Sequence, residues 1–163
     1  MHVFKNGDLV EGQYRVMAEL GRGAASIIYL VQDSKTKQIW ALKHVCRESE
    51  KDARFLEQAE SEYNIASKLD HAGIRKVERL VRKKSGLLTT SELYVVMELL
   101  DGTSVDKSPP RTFESAADIF EQVARALAYM HDKGYVHADM KPNNVIVDAH
   151  GTAKVIDLGQ SCP

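Results

Sequence analysis

The sequence predicts an α+β fold in which a β-rich first part is followed by a more helical second part. Three short β-rich runs separated by turns come first, and they extend from Tyr14 to Leu20, from Ile27 to Gln32 and from Ile39 to Val45. Two stretches with apolar residues at helical spacing follow further along the chain. The spacing of apolar residues thus changes from a period of two residues, typical of strands, to a period of 3.6, typical of helices, which indicates a mixed fold.

The first three strands are predicted to form an antiparallel meander, because short turns join them. Residues 21–26 contain two glycines, and residues 33–37 are polar. Both connections are compatible with ordinary hairpins.

A first helix is predicted after the third strand. The segment 49–52 resembles a capping box, in which a serine and an acidic residue three positions later satisfy free backbone groups. Apolar residues then follow with the three-and-four spacing of one helix face, at Phe55, Ala59, Ala66 and Leu69. Glu62 falls within this apolar stripe, and a carboxylate buried there requires a partner.

Two more strands and a boundary follow this helix. The strands are predicted from Val77 to Arg82 and from Leu93 to Leu100, joined by the polar segment Lys83 to Glu92. The stretch from Gly102 to Arg111 contains two prolines, which interrupt regular structure. We therefore expect one lobe over residues 1–101 and a second over residues 102–163.

The second lobe is predicted to begin with a long helix from Glu114 to Lys133, ended by Gly134. Two short runs, Val145 to Val147 and Ala153 to Ile156, flank a His-Gly turn and predict one small hairpin.

Composition excludes several classes of protein. The 163 residues carry a formal net charge of −1 with both signs mixed along the chain, so no basic surface for nucleic acid is expected. The longest apolar stretch, Leu93 to Leu100, is far shorter than a membrane span. Cys46 and Cys162 form no CxxC pair, and residues 1–8 lack the pattern of a secretory signal, so a reducing, cytoplasmic setting is expected.

The glycine-containing connection is a candidate phosphate-binding flap. It lies between two strands instead of opening a helix, which argues against a dinucleotide-binding turn and favours a flap over the phosphates of ATP. Its residues are Gly21, Arg22, Gly23, Ala24, Ala25 and Ser26.

Lys43 is a second candidate. Strand alternation places it on one face with apolar neighbours, where it either extends its amine to solvent or pairs with a carboxylate. We favour a pair with Glu62, because either charge buried alone would cost several kcal/mol.

The strongest motif runs from Tyr135 to Asn144 and reads Tyr-Val-His-Ala-Asp-Met-Lys-Pro-Asn-Asn, followed later by Ile-Asp-Leu-Gly at 156–159. Together with the flap, Lys43 and Glu62 in this order, it resembles the catalytic and magnesium loops of the protein kinase family over nearly the whole chain. The resemblance implies a kinase-like fold, with a five-stranded, one-helix N-lobe and an incomplete C-lobe, and ATP between the two.

The resemblance also implies roles for individual residues. Asp139 would orient the substrate hydroxyl as a base, and Lys141 would neutralise charge on the transferred phosphoryl group. Asn144 and Asp157 would hold Mg²⁺. Lys43 and Glu62 would complete the catalytic set by directing the lysine ammonium toward the phosphates.

An adenine site is implied in the same way. Met97 would guard the back of the pocket, and the Glu98 carbonyl and Leu100 N–H would meet the adenine edge. The ring would lie between three apolar side chains, each of which is equally compatible with a place in the core: Ile28, Ala41 and Ile146.

The kind of side chain that would accept the phosphoryl group is inferred from Lys141 and the proline after it, which resemble the serine/threonine branch of the family. The implied function is transfer of the ATP γ-phosphate to Ser or Thr hydroxyls of proteins. The alternatives are a non-catalytic module of kinase fold that binds nucleotide or a partner, and a small-molecule kinase of the aminoglycoside-phosphotransferase kind. A purely structural role is a more distant possibility.

Some positions depart from the family pattern. Ala138 replaces the arginine that usually precedes the catalytic Asp, which puts activation-loop phospho-switching in doubt. Ser26 stands at the third flap glycine, and Leu158 stands where phenylalanine is common. Only four residues follow Gly159, so the sequence predicts a chain without its activation segment, whose exposed apolar helix face favours self-association or marginal stability.

Overall fold

The computed structural model describes residues 2–85 and 89–163, and the chain divides into two compact units. The first unit comprises Met1–Glu60 and Val77–Leu99, and the second comprises Ser61–Lys76 and Leu100–Pro163. The lobe boundary expected between residues 101 and 102 stays a prediction.

Nine strands and two α-helices are described. The strands are β1 (Leu9–Val10), β2 (Tyr14–Arg22), β3 (Ser26–Asp33), β4 (Ile39–Cys46), β5 (Val77–Ser85), β6 (Thr89–Met97), β7 (Gly102–Ser104), β8 (Val145–Asp148) and β9 (Ala153–Val155). The α-helices are α1 (Ala53–Ala66) and α2 (Phe113–Asp132), with single 3₁₀ turns at Glu50–Asp52 and Pro142–Asn144.

The first unit contains a six-stranded antiparallel sheet with the strand order β1-β2-β3-β4-β6-β5. The predicted meander of β2, β3 and β4 is confirmed, and all five predicted strands are present. Strand β1 was not predicted, because two residues are too few to show a period. The fold is a partial protein-kinase fold with a curled antiparallel N-lobe sheet.

The hairpin of β5 and β6 is longer than the sequence predicted. The polar segment Lys83 to Glu92 was predicted to be a connection, but both strands extend into it, and residues 86–88 lie outside the described residues. Lys83 is paired with Glu92 across the ladder, and Lys83 Nζ lies 3.2 Å from Glu92 Oε1. Backbone pairing and this ion pair stabilise the two strands in a polar segment, where no alternation of apolar side chains could predict them. At its other end β6 stops at Met97, short of the predicted Leu100.

The two faces of the sheet bury different apolar clusters. On the outer face, Tyr29, Leu42 and Tyr94 are among the residues buried in a core against which Phe4 and Trp40 pack. On the inner face, the cluster consists of α1 residues and sheet residues: Val45, Leu56, Ala59, Leu93 and Val95. Apolar clusters therefore cover both sides of the sheet, and in β3 the residues on the outer face are buried while those on the inner face are half-buried.

The start of α1 follows the predicted capping box. The Asp52 carboxylate accepts hydrogen bonds from the backbone N and Oγ of Ser49, at 2.8 and 2.9 Å. The helix ends at Ala66, one turn before the predicted Leu69, which is nevertheless buried. Backbone bonds of the 3₁₀ type, from Lys68 N to Ile65 O and from Leu69 N to Ala66 O, tighten the chain there.

In the second unit, α2 begins at the N-cap Thr112, whose side chain accepts a hydrogen bond from Ser115 N, and the helix buries Ala126 and Met130. Its other side leaves Phe113 and Phe120 exposed, at 88% and 72% of their surface. Self-association through such a face stays a prediction. No helix within the described ranges is both long and apolar enough to cross a membrane.

A small sheet of β7, β8 and β9 completes the second unit, and β8 and β9 form the predicted hairpin. Strand β7 lies in the stretch from Gly102 to Arg111 that was predicted to be irregular. Glycine at position 102 permits this pairing, because β7 lies so close to β8 that a Cβ on Gly102 would be 2.6 Å from Val147 O.

Replacing Gly102 with alanine is expected to destabilise the second unit by about 1–3 kcal/mol, because the new methyl group would force β7 away from β8. Denaturant unfolding monitored by circular dichroism measures this change. The control is Gly21→Ala, where an added Cβ meets nothing within 4 Å. Equal stability of the two variants would contradict the packing argument.

Candidate active site

Lys43 lies on the inner face of the first unit's sheet, in a row of paired residues. It is paired with Ile28 of β3 on one side and with Val95 of β6 on the other. The next row holds Ala41, paired with Met97. The structure thus brings four predicted nucleotide-site residues of this unit, Ile28, Ala41, Lys43 and Met97, onto one sheet face. Ala41 and Met97 are buried, while Ile28 and Lys43 are half-buried.

The predicted flap joins the ends of β2 and β3. Gly23 N donates to Ser26 O at 2.8 Å, and Cys46 N donates to Ala25 O at 3.3 Å, so backbone bonds hold the turn at both sides. A Cβ on Gly23 would lie 2.9 Å from Ser26 Oγ, so a larger residue there would require the Ser26 side chain to move. Arg22 binds Glu19 in a fork, from Nε at 2.6 Å and from Nη2 at 2.8 Å.

The other predicted ATP-site residues lie on separate elements. Glu98 and Leu100 follow β6, and both are half-buried. Ile146 lies on β8, paired with Ser104 and Lys154. Glu62 lies on α1 and is only 4% exposed. Its pairing with Lys43 stays a prediction.

The catalytic-loop motif forms a connected polar cluster within the second unit. Lys141 Nζ donates to Asp139 Oδ2 at 2.7 Å, and Asn144 Nδ2 donates to Asp139 O at 2.8 Å and to Asp139 Oδ2 at 3.2 Å. The hydrogen bond from Lys141 is the main reason why the pKa of the Asp139 carboxyl lies below its usual value, and the same bond raises the pKa of Lys141. The carboxylate is therefore ionised and oriented at neutral pH.

His137 supports this cluster, although the sequence analysis gave it no role. It is 1% exposed, its Nδ1 accepts from Asp139 N at 3.3 Å, and its Nε2 donates to Ile156 O at 3.1 Å. Ser161 Oγ in turn donates to His137 O at 3.2 Å. The His137 ring thereby joins the loop of Asp139 to the segment of Asp157. The His-x-Asp spacing was the available signal.

Two residues of these loops have left-handed backbone conformations that non-glycine residues seldom adopt. Ala138 and Asp157 both have φ near 61°. Such conformations persist where surrounding contacts hold them, and they cluster at functional sites. Here Ile156 N donates to Asn144 O at 2.9 Å, and Leu158 is buried at 2% exposure, so residues on both sides of Asp157 are held in place.

The donor set fits magnesium. Asn144 uses its amide nitrogen for Asp139, which leaves its amide oxygen for another partner, and the Asp157 carboxylate is exposed. Among residues 2–85 and 89–163, no group of three or more His, Cys, Asp or Glu side chains could hold a metal ion. Mg²⁺ does not require such a group, because it binds through one or two protein oxygens together with phosphate oxygens and water.

A cavity of about 900 Å³ lies elsewhere in the second unit. Its lining includes Gly102, Pro109, Ile119 and Val147, and it includes none of the predicted site residues. The cavity is therefore not part of the predicted nucleotide site.

Comparison with known proteins identifies the family. The protein kinase domain matches residues 14–163, which is most of the chain and includes the flap, Lys43 and both loops. The chain belongs to the protein kinase family. The resemblance stated from the motifs is confirmed.

Several kinases are similar to this kinase chain. A probable myosin light chain kinase of Dictyostelium discoideum is 34% identical over 141 residues, which cover 83% of the chain and 42% of that relative. Myosin light chain kinase A of the same organism is 33% identical over 159 residues, covering 93% and 52%. Serine/threonine-protein kinase PrkC of Bacillus subtilis is 29% identical over 157 residues, covering 94% and 23%. The kinase chain thus spans roughly a quarter to a half of the length of these relatives.

Proposed function

We propose that the chain is the nucleotide-binding and phosphoryl-transfer part of an ATP- and Mg²⁺-dependent Ser/Thr protein kinase. The observation that carries the proposal is the cluster in which Lys141 and Asn144 both donate to the Asp139 carboxylate. Phosphoryl transfer depends mainly on positioning and on charge stabilisation, and this cluster supplies both. The membership of the protein kinase family supports the same assignment.

Each residue has a defined task in the proposed reaction. Asp139 accepts a hydrogen bond from the substrate hydroxyl and orients its oxygen toward the γ-phosphorus. Lys141 stays protonated beside Asp139 and offers positive charge to the transferred group. Asn144 and Asp157 hold Mg²⁺, which neutralises phosphate charge when it is bound. In the first unit Lys43, oriented by Glu62, pairs with phosphate oxygens.

The remaining predicted residues bind the nucleotide. The flap of residues 21–26 covers the phosphates with backbone N–H groups, and Arg22 lies within it. Glu98 and Leu100 meet the adenine edge through their backbone, and Met97 closes the back of the pocket. The ring lies against three apolar side chains, which are Ile28, Ala41 and Ile146.

The proposal extends to the substrate and the setting. Lys141 and Pro142 directly after the catalytic loop Asp favour Ser or Thr hydroxyls of proteins over tyrosine and over small molecules, and the similar proteins named as Ser/Thr kinases point the same way. A reducing, cytoplasmic setting is part of the proposal, and the cysteine pattern supports it.

Magnesium-dependent ATP binding tests the proposal by calorimetry. Lys43→Met and Asp157→Ala are each expected to weaken binding by about 10- to 100-fold, because each removes a charged partner of the phosphates or the metal. The matched controls are Lys35→Met, in the exposed β3–β4 turn, and Asp118→Ala, on an exposed position of α2. Both controls are expected to bind ATP like the unchanged chain.

Two results would contradict the proposal. One is the absence of ATP binding by a chain whose circular dichroism shows it to be folded. The other is binding that the four variants weaken to the same extent, since that would mean general charge attraction instead of a defined site.

A further inference from the structure

The outer face of the first unit's sheet carries a buried titratable cluster that the proposed function does not use. His44 on β4 is 0% exposed, and its Nε2 lies 2.8 Å from Glu92 Oε2. Tyr94 Oη donates to the same Glu92 oxygen at 2.8 Å, and Lys83 Nζ lies 3.2 Å from Oε1. Glu92 thus gathers three donors, and the imidazole is one of them.

The other ring nitrogen of His44, Nδ1, differs from Nε2 in its hydrogen bonding. Within the part of the chain that the structure describes, Nδ1 of His44 is a buried side-chain atom without a hydrogen-bond partner. A neutral ring that donates from Nε2 has an unprotonated Nδ1, whose lone pair meets no donor. A proton on Nδ1 would place a positive charge on the ring and create a buried N–H donor without an acceptor, which destabilises the closed strap.

The N-terminal strap, defined as residues 2–5, covers this ring. The Phe4 ring lies 5.4 Å from the His44 ring, and Tyr94 stacks on His44 at 4.7 Å. Tyr94 belongs to the sheet, whereas Phe4 belongs to a short segment that holds to the sheet through its own ring and through a hydrogen bond from Phe4 N to Tyr29 Oη at 3.2 Å. Lifting Phe4 therefore disturbs far less structure than moving Tyr94.

A turn behind the strap provides a pivot. Lys5 N donates to Asp8 Oδ2 at 2.7 Å, Asp8 N donates to Lys5 O at 3.0 Å, and Gly7 has a φ of 93°. Gly7 N donates to Val16 O at 2.8 Å, so this turn stays fixed to β2 when the strap moves.

We propose that the N-terminal strap is a proton-operated cover, which leaves the outer face of the sheet when His44 takes up a proton at Nδ1. Release of Phe4 gives the new N–H access to water and leaves the bond from Nε2 to Glu92 intact. Because Lys43 is the neighbour of His44 on β4 and faces the opposite side, the cover lies directly behind the strand that carries the proposed phosphate-binding lysine.

The direction of the pH effect follows from the surroundings of His44. Burial disfavours the charged ring more than Glu92 favours it, so the pKa of His44 in the closed state lies below the ordinary value for histidine. The open state binds the proton more readily, because its ring reaches water. The closed strap is therefore fully stable above about pH 6.5 and loses stability as the pH falls below that value.

Other ionisable groups face the ring of His44. His2 lies on the strap with its ring 4.7 Å from Phe4, so it requires a control. The hydrogen bonds around Glu92 outweigh its burial and lower its pKa, while burial raises the pKa values of Cys46, Tyr29 and Tyr94. The remaining charged neighbour is Lys83, an ion-pair partner of Glu92. Of these groups, the histidines are the ones whose side-chain type titrates between pH 5 and 8.

An amide NMR titration of the full chain between pH 5 and 8 tests the cover. The signals of Val3 and Phe4, which precede the fixed turn, are expected to report opening, with an open-to-closed ratio that rises by up to about tenfold per pH unit below about pH 6.5. Leu56 and Val95, in the cluster on the opposite face of the sheet, are expected to keep their signals. The fluorescence of Trp40, the single tryptophan, gives an independent reading, because Trp40 packs against the same core.

Variants separate His44 from other causes. His44→Gln removes the titrating ring and is expected to abolish the strap transition, whereas His2→Gln is expected to preserve it. Phe4→Ala is expected to show at pH 8 the strap signals that the unchanged chain shows at pH 5.

Several results would overturn the inference. These are an unchanged strap transition in His44→Gln, loss of the sheet signals together with the strap signals, and normal strap signals in Phe4→Ala. If His44→Gln does not fold, the ring C–H signals of His44 in the unchanged chain decide the matter. Their midpoint must coincide with that of the strap, and a different midpoint contradicts the proposal.

Discussion

Replacing Asp139 with asparagine is expected to lower the rate of phosphoryl transfer by about 10²- to 10⁴-fold, the usual contribution of a positioned general base. The amide keeps the shape of the side chain but cannot take up the proton of a substrate hydroxyl. It also removes the negative charge that holds Lys141 at 2.7 Å. ATP affinity is expected to change by less than about tenfold, because Asp139 is not among the residues proposed to bind ATP or metal.

Phosphate transfer to a Ser- or Thr-containing peptide, followed with radiolabelled ATP, measures this effect, and calorimetry measures the affinity. The matched control is Asp118→Asn on α2, which is exposed and outside the proposed site. A loss of transfer below about tenfold in Asp139→Asn would remove Asp139 from the role of base. A loss that resides entirely in ATP affinity would reassign it to nucleotide binding.

Replacing Leu42 with alanine is expected to lower the free energy of unfolding by about 2–5 kcal/mol. Leu42 is 0% exposed and belongs to the outer-face core of the first unit, where β3, β4 and β6 meet. The lost methyl and methylene groups leave a cavity that strands on both sides prevent from collapsing. Thermal unfolding is expected to shift down by roughly 5–15 °C for a chain of this size.

Leu20→Ala is the matched control, because Leu20 also lies on a strand of this sheet but is 50% exposed. Its free energy of unfolding is expected to change by less than about 0.5 kcal/mol. If both variants lost the same stability, the two leucines would not differ in burial as the structure shows. A destabilised Leu42→Ala with ATP binding intact would separate core packing from the nucleotide site.

The contacts around Asp139 do not require an arginine at position 138, where the family pattern has one and this chain has alanine. Ala138 has no side chain that can bind a phosphate, but its left-handed backbone still directs Asp139 toward Lys141 and Asn144. The hydrogen bond between His137 Nε2 and Ile156 O holds the loop to the segment before Asp157. The geometry of the carboxylate therefore depends on contacts that an alanine at position 138 leaves in place.

The sequence alone determined the elements whose period is strong and the motifs whose spacing is dense. The meander of β2, β3 and β4, the capped start of α1, and α2 to within one residue at each end all follow from local patterns. The grouping of Asp139, Lys141 and Asn144 was likewise accessible, since the three lie within six residues of one another. Local hydrogen bonding and side-chain alternation act over a few residues, which is why a single sequence reveals them.

The tertiary structure decided what depends on residues far apart in the chain. The polar ladder of Lys83 and Glu92 and the close approach of Gly102 to β8 have no periodic signal of their own. The burial of His44 under Phe4 joins residues forty positions apart, and the link from His137 to Ile156 spans nineteen. Whether a polar side chain is exposed, paired or buried without a partner is set by which strands and segments pack over it, and that information is not local.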